Sequence, residues 1–182
     1  MFHKYKIYYF INTINTKELI KLDNKINLIL RNYDKNINEK DLNIFIKFCK
    51  QRQQKIFLSN NIKLSLKLNF DGIYISAFNN SLKYRNLSFK KNFLIIGSAH
   101  NEQEILIKKN QGCSEIFISP LFLTRKSKSH LGICKFNKIN LNNKKKIIAL
   151  GGINSSNFKK LGLTNCMGFA SISWIKKTGL KN

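Results

Sequence analysis

A chain of 182 residues with 43% hydrophobic content, including 14 Phe and 6 Tyr, carries enough apolar surface for one cored domain and excludes a disordered polymer. A single Pro and 9 Gly exclude collagen-like and low-complexity classes, and no segment reaches the roughly 20 consecutive apolar residues of a membrane span. The formal net charge of +24 invites an anionic partner, but Lys, Asn and Ile recur throughout the chain, so compositional drift is the main reading and nucleic acid is not the expected partner.

The chain opens on Met1 and an apolar run broken by Asn12, too short for a signal peptide, so a soluble cytoplasmic protein is expected. Short apolar runs predict strands over 6–11, 26–30, 55–58, 72–75, 93–96, 115–118, 146–150 and 168–171. Most are continuously apolar, as strands covered on both faces are. Between them, residues 38–52 space Leu42, Phe45, Ile46 and Cys49 at helical intervals behind the start signal of Asn38 and Asp41. Residues 61–69 alternate in a way that also fits a strand, and their place between two strands decides for helix. Residues 101–111 begin beside Asn101, with Glu102 and Glu104 in the first turn, and end before Gly112. Shorter helices are expected over 154–161 and 173–177. Eight strands interleaved with helices predict an α/β chain folded as a compact (β/α)8 TIM barrel, one domain spanning 1–182 with trimmed helices and loops. Cys49, Cys113, Cys134 and Cys166 show no Cys-x-x-Cys pair and no histidine at metal spacing; buried, inert thiols are expected.

The ends of the last two predicted strands carry the strongest chemical signal. Gly151-Gly152 lacks Cβ atoms, which lets a backbone approach an anion, and Asn154 or Ser155 can cap a following helix start. Ser171 ends the eighth predicted strand and Ser173 follows it. Two such ends in succession predict a phosphate site built from Gly151, Gly152 and Ser173.

Several segments resemble the thiamine phosphate synthase/TenI family of (β/α)8 barrels across nearly the whole chain. Asp71-Gly72-Ile73-Tyr74-Ile75 is similar to the family's Asp-Gly-Val-His-Leu passage. Gly97-Ser98-Ala99-His100 with Glu104 is similar to its Gly-x-Ser-x-His segment, and Ser119-Pro120-Leu121-Phe122-Leu123-Thr124 to its Gly-Pro-x-Phe-x-Thr loop. The resemblance implies thiamine biosynthesis: a pyrimidinylmethyl diphosphate joined to a thiazole phosphate with release of diphosphate. It also implies Mg²⁺ on two aspartates. Here those aspartates are replaced by Asn60 and Asn79, so no protein ligand for a metal is assigned. Arg31 is retained, while the companions that the family places beside it are replaced by Ile29 and Tyr33. With two amides in place of two carboxylates, Arg31 with Lys126 or Lys128 is expected to hold the diphosphate without Mg²⁺.

The expected catalytic residues are Arg31, Ser98 and His100. The expected substrate-binding residues are Asn60, Asn79, Thr124, Lys126, Lys128, Gly151, Gly152 and Ser173, all facing a phosphorylated small molecule. For Ser98 and Thr124, hydrogen bonding to phosphate and to loop backbone are equally open. His100 is either a capping histidine or a proton carrier at the mouth. Other readings are a TenI-type thiazole tautomerase, whose catalytic histidine aligns with Pro120, a non-catalytic thiazole phosphate-binding barrel, and a nucleic-acid-binding protein.

Overall fold

The structure is a computed structural model that describes residues 2, 4–31, 37–84, 87, 89–125, 127, 129–141 and 146–180. Among these, eight parallel strands close in sequence order into a barrel: β1 (Lys6–Ile11), β2 (Ile26–Leu30), β3 (Ile56–Ser59), β4 (Gly72–Ile75), β5 (Leu94–Ala99), β6 (Glu115–Ile118), β7 (Lys146–Leu150) and β8 (Gly168–Ala170). Closure is made by β1 against β8, with Tyr8 opposite Ala170. Among the described residues six α-helices lie outside: α1 (Thr16–Lys21), α2 (Glu39–Gln51), α3 (Ile62–Lys67), α4 (Glu102–Asn110), α5 (Gly132–Leu141) and α6 (Ser173–Thr178). This is the expected (β/α)8 barrel, with every strand in its expected place to within three residues at each end.

Alternation along each strand sorts side chains into two cores. Tyr8, Phe10, Ile29, Phe57, Tyr74, Ile96, Phe117, Ile148 and Ala170 fill the barrel interior. Their sequence neighbours, such as Ile7, Tyr9, Leu28, Leu58 and Ile73, pack outward under the helices. Branched aliphatic residues usually fill such a barrel. Here aromatic rings do much of that work in edge-to-face contacts, Tyr8 against Phe117 at 4.9 Å and Phe10 against Tyr74 at 5.2 Å between centroids. Large rings reach across the lumen from short strands, which suits a trimmed barrel.

The N-terminal end of the lumen holds a buried ion cluster. Lys6 Nζ and Tyr8 OH both donate to the carboxylate of Glu115, which is 2% exposed. Burial and then the Glu115 charge drive the Tyr8 phenol well above its ordinary pKa, so it stays a donor.

The 61–69 segment is helical as expected, as α3, capped by Asn61 accepting from Leu64 N at 3.1 Å. Elsewhere the helices depart from expectation. The expected helix over 154–161 is instead a turn followed by a 3-10 helix, Phe158–Leu163. Four short polar residues, 154–157, compete with the backbone: Asn154 Oδ1 takes the N–H groups of Ser156 and Asn157 at 2.9 and 3.2 Å. Helices α1 and α5 were not expected. The first is a six-residue element with only Leu19 buried, and the second has no polar residue to mark its start. Cys49 and Cys113 are buried as expected, but Cys134 is exposed. It lies on α5, whose buried side is formed by Phe136, Ile139 and Asn140. No described helix is long and apolar enough to cross a membrane.

Candidate functional site

In a closed parallel barrel every strand ends at the same mouth. Arg31, Asn60, Ser98, Gly151, Gly152 and Ser173 sit at or just beyond the C-terminal ends of β2, β3, β5, β7 and β8, and are therefore gathered on one face. Asn79 and Thr124 lie in the loops that follow β4 and β6. Lys126, Lys128 and Tyr33 lie outside the described residues.

Arg31 follows Ile29 by two residues and so continues the inward side of β2. Its guanidinium lies 5.0 Å from the centroid of the Phe10 ring, and its Nε donates to Asn12 Oδ1 at 3.0 Å. A guanidinium on an aromatic face keeps its charge and most of its donors. Among the described residues no carboxylate pairs with it within 4 Å. Phe10 in turn contacts Tyr74, whose hydroxyl donates to Ser98 Oγ at 2.8 Å. Arg31, Phe10, Tyr74 and Ser98 thus form one continuous floor to the mouth.

Asn60 and Asn79 are brought into direct contact. Asn79 Nδ2 donates to Asn60 Oδ1 at 3.1 Å and to Tyr84 OH at 3.1 Å. Asn60 Oδ1 also accepts from Ser76 N at 3.0 Å, and its amide nitrogen donates to Ser76 Oγ at 2.9 Å and Ser59 Oγ at 3.2 Å. Asn60 holds a left-handed φ of 57°, which short amide side chains tolerate. Two carboxylates with oxygens 3.1 Å apart would repel by roughly 5 kcal/mol at an effective dielectric of about 20 unless a cation or proton lay between them. Two amides need neither.

Mg²⁺ is a poor fit to these donors. It prefers one or two carboxylates, and both amide oxygens are already engaged: Asn60 Oδ1 as above, and Asn79 Oδ1 by Ser81 N at 3.1 Å.

The β7 end also has a packing role. Gly151 and Gly152 have φ of 92° and 72°. A Cβ on Gly152 would lie 2.5 Å from the carbonyl oxygens of both Phe122 and Leu123, and one on Gly151 would lie 2.8 Å from Pro120. The pair therefore clears a path for the β6 loop, which is tied down by Leu121 N and Phe122 N donating to Leu150 O and Gly151 O. Thr124 Oγ1 accepts from Ser127 N at 3.0 Å within that loop, so loop bonding engages one of its two lone pairs. Ser173 is exposed at the start of α6, and Ser171 Oγ holds Ile153 O at 2.7 Å.

His100 is engaged by α4. Glu104 Oε2 accepts from His100 N at 2.8 Å and contacts the ring Nδ1 at 2.9 Å, while Asn101 Oδ1 accepts from Glu104 N at 2.9 Å. This is a helix-start network, and the ring is half exposed within it.

Phe10, Asn12, Tyr74 and Ser76 belong to the mouth without having been singled out in the sequence. The signal for the first and third was the inward phase of β1 and β4, which places Phe10 and Tyr74 in the last layer of the lumen. A cavity of about 440 Å³ on the rim, lined by Thr13, Ile14, Thr16, Ile37, Asp41 and Ile44, contains none of the candidate residues.

Taken as chemistry, the mouth offers hydroxyls, amides and a guanidinium around an aromatic floor. Such a set suits the stabilisation of an oxyanion; among the described residues the histidine–carboxylate pair at this end, His100 with Glu104, is part of the α4 start.

Known proteins share this plan. The family described as Thiamine monophosphate synthase matches residues 16–175. A thiamine-phosphate synthase of Prochlorococcus marinus is 29% identical over 115 residues, 62% of this chain and 33% of that protein. One of Helicobacter pylori is 28% identical over 120 residues, 63% of this chain and 54% of that protein. The chain thus spans from about a third to about half the length of these two relatives. A thiamine phosphate pyrophosphorylase from Pyrococcus furiosus superposes with a TM-score of 0.77 at 17% identity, covering 97% of this chain and 92% of that one, a likeness of fold. With the family matched from the first helix to the last, this chain belongs to the thiamine monophosphate synthase family.

Proposed function

We propose that this chain acts in thiamine biosynthesis as a thiamine phosphate synthase-type transferase, joining a pyrimidinylmethyl diphosphate to a thiazole phosphate. The observation that carries this reading is Arg31, held over Phe10 at the barrel mouth without an ion-pair partner among the described residues. A cation so placed suits the oxygens of a leaving diphosphate. The carbon–oxygen bond breaks with its electron pair leaving on diphosphate, and the thiazole nitrogen donates its lone pair to the exposed carbon. No side chain has to remove a proton, which agrees with a mouth of hydroxyls, amides and a guanidinium.

Within this reading Arg31 takes charge developing on the diphosphate, joined by Lys126 or Lys128 from the β6 loop. Ser98 accepts from Tyr74 and so directs its own O–H toward a phosphate oxygen. Asn60 and Asn79 line the β3–β4 side, and Thr124, Gly151, Gly152 and Ser173 line the side for the thiazole phosphate. Phe10 and Tyr74 keep water from the cation. His100 stays with Glu104 and is not given the proton-carrying role. That assignment, with Pro120 standing where the tautomerase histidine aligns, disfavours proton transfer on thiazole.

The test is incubation of the full chain with the pyrimidinyl diphosphate and thiazole phosphate, with Mg²⁺ and with chelator, followed by detection of thiamine phosphate. Product in both tubes is the expected result. Its absence from both, with thiazole phosphate binding retained, would leave a binding barrel in place of a synthase.

A further inference from the structure

Lys108 is fully buried, on the side of α4 that carries Ile105 toward the sheet. Its stem crosses above Gly97, where a Cβ would lie 3.0 Å from Lys108 Cδ. The ammonium then reaches the loop after β4: Nζ donates to Ser76 O at 2.9 Å, Asn79 O at 2.8 Å and Gln111 Oε1 at 3.0 Å. Gln111, also fully buried, donates to Asn79 O at 2.7 Å and Ser81 O at 2.9 Å. Three carbonyls of one short loop are thereby held from behind by two side chains with every N–H used. Burial pulls Lys108 below its usual pKa, but an uncharged amine has two hydrogens and would leave one of its three acceptors unserved. The bonding pattern is that of an ammonium.

The same loop presents Asn79 to Asn60 on its other side. We propose that Lys108 is a resident cation behind the β4 loop: it fixes that loop through Ser76 and Asn79, so that the Asn60–Asn79 amide pair is held in place and a divalent cation is not bound there. Lys108 acts as a positioning residue. The proposal deepens the transferase reading, because a loop set by a tethered charge would serve the diphosphate without a metal. Its geometric part stands independently of turnover.

Two measurements decide it. First, hydrogen exchange compares the full chain with Lys108→Met, which keeps the stem and removes the charge. The amides of residues 76–81 are expected to lose protection by about tenfold or more while the β1 and β6 amides keep theirs. Unchanged protection over 76–81 overturns the proposal. Should Lys108→Met fail to fold, Gln111→Leu removes the adjoining half of the clamp and is read the same way. Second, Mn²⁺, a paramagnetic stand-in for Mg²⁺, is titrated into the wild-type chain and Asn79→Ala. Identical titrations are expected. One extra Mn²⁺ bound per wild-type chain overturns the proposal. Product formation in the synthase assay is read separately, so failure of that reaction leaves both measurements intact.

Discussion

The two ends of the barrel lumen treat charge in opposite ways. At the N-terminal end, the Glu115 carboxylate is buried and answered within the chain by Lys6 and Tyr8. At the mouth, the strand ends carry amides and hydroxyls, and the guanidinium of Arg31 rests on an aromatic face with Asn12 as its partner. A buried charge is costly until it is paired, so the lower cluster is complete as folded. The upper set has a cation with no carboxylate within 4 Å among the described residues, which is where the proposed anionic ligand would complete it. That contrast, and not the net charge of +24, is the argument for a phosphorylated ligand. The excess lysine recurs along the whole sequence, whereas the mouth is one place.

The contrast breaks most sharply at Glu115. Glu115→Ala strips Tyr8 of its acceptor and Lys6 of its counter-charge; Lys6 is 41% exposed and can turn to water. The loss is expected to be about 3 kcal/mol of unfolding free energy, read by urea denaturation. Binding of inorganic diphosphate at the other end should stay within about twofold of wild type. A variant of normal stability with weakened diphosphate binding would mean that the two ends are not separate systems.

Next in size is Gly152→Ala, expected to cost about 2–3 kcal/mol, because a new Cβ meets two carbonyl oxygens at 2.5 Å and φ is 72°. Gly132→Ala is the paired control. Its φ is 68° and a Cβ there meets nothing, so only the backbone penalty of about 1 kcal/mol remains. Equal losses at the two positions would show that crowding by the β6 loop contributes nothing.

Arg31→Gln sharpens the mouth side. It removes the cation but keeps a hydrogen-bonding side chain. Inorganic diphosphate is expected to bind about tenfold more weakly, with unfolding free energy changed by less than about 1 kcal/mol. Calorimetric titration and denaturation of the same preparation measure both quantities. A stability loss with unchanged binding would make Arg31 a packing residue.

These positions differ in how far the sequence reveals them. Strands were legible because lumen and shell are both apolar, so a run such as Ile147-Ile148-Ala149 has one fitting environment. Arg31 was legible because a charge ending such a run has nowhere bland to go. Lys108 was not: α4 reads as a mixed surface helix, and its one clue was a lysine three residues after Ile105 on the buried side. Contacts between segments distant in sequence were the least visible. Nothing local to Asn60 or Asn79 says that they meet, since their pairing depends on strands β3 and β4 being neighbours and on a loop held from behind. Asn154 shows the reverse failure, where a correct capping residue was present but four polar residues in a row closed a turn in place of an α-helical start.

The smallest expected effect separates the two roles weighed for His100. Its backbone N–H and ring both meet Glu104 Oε2, at 2.8 and 2.9 Å, and Asn101 Oδ1 accepts from Glu104 N. The backbone half of this network survives His100→Ala, because the N–H belongs to any residue. What is lost is one exposed ring–carboxylate contact, for which about 0.5 kcal/mol is an upper expectation. If that contact is the whole of its work, thiamine phosphate formation by His100→Ala should match wild type across neutral pH. A proton-carrying ring would instead give a rate deficit of about a hundredfold or more and remove an ionisation near neutrality from the pH–rate profile. Because Ser98 lies two residues earlier on β5, a third pattern is informative as well: a raised KM with unchanged kcat would mean that the Glu104 anchor sets the strand end that carries Ser98.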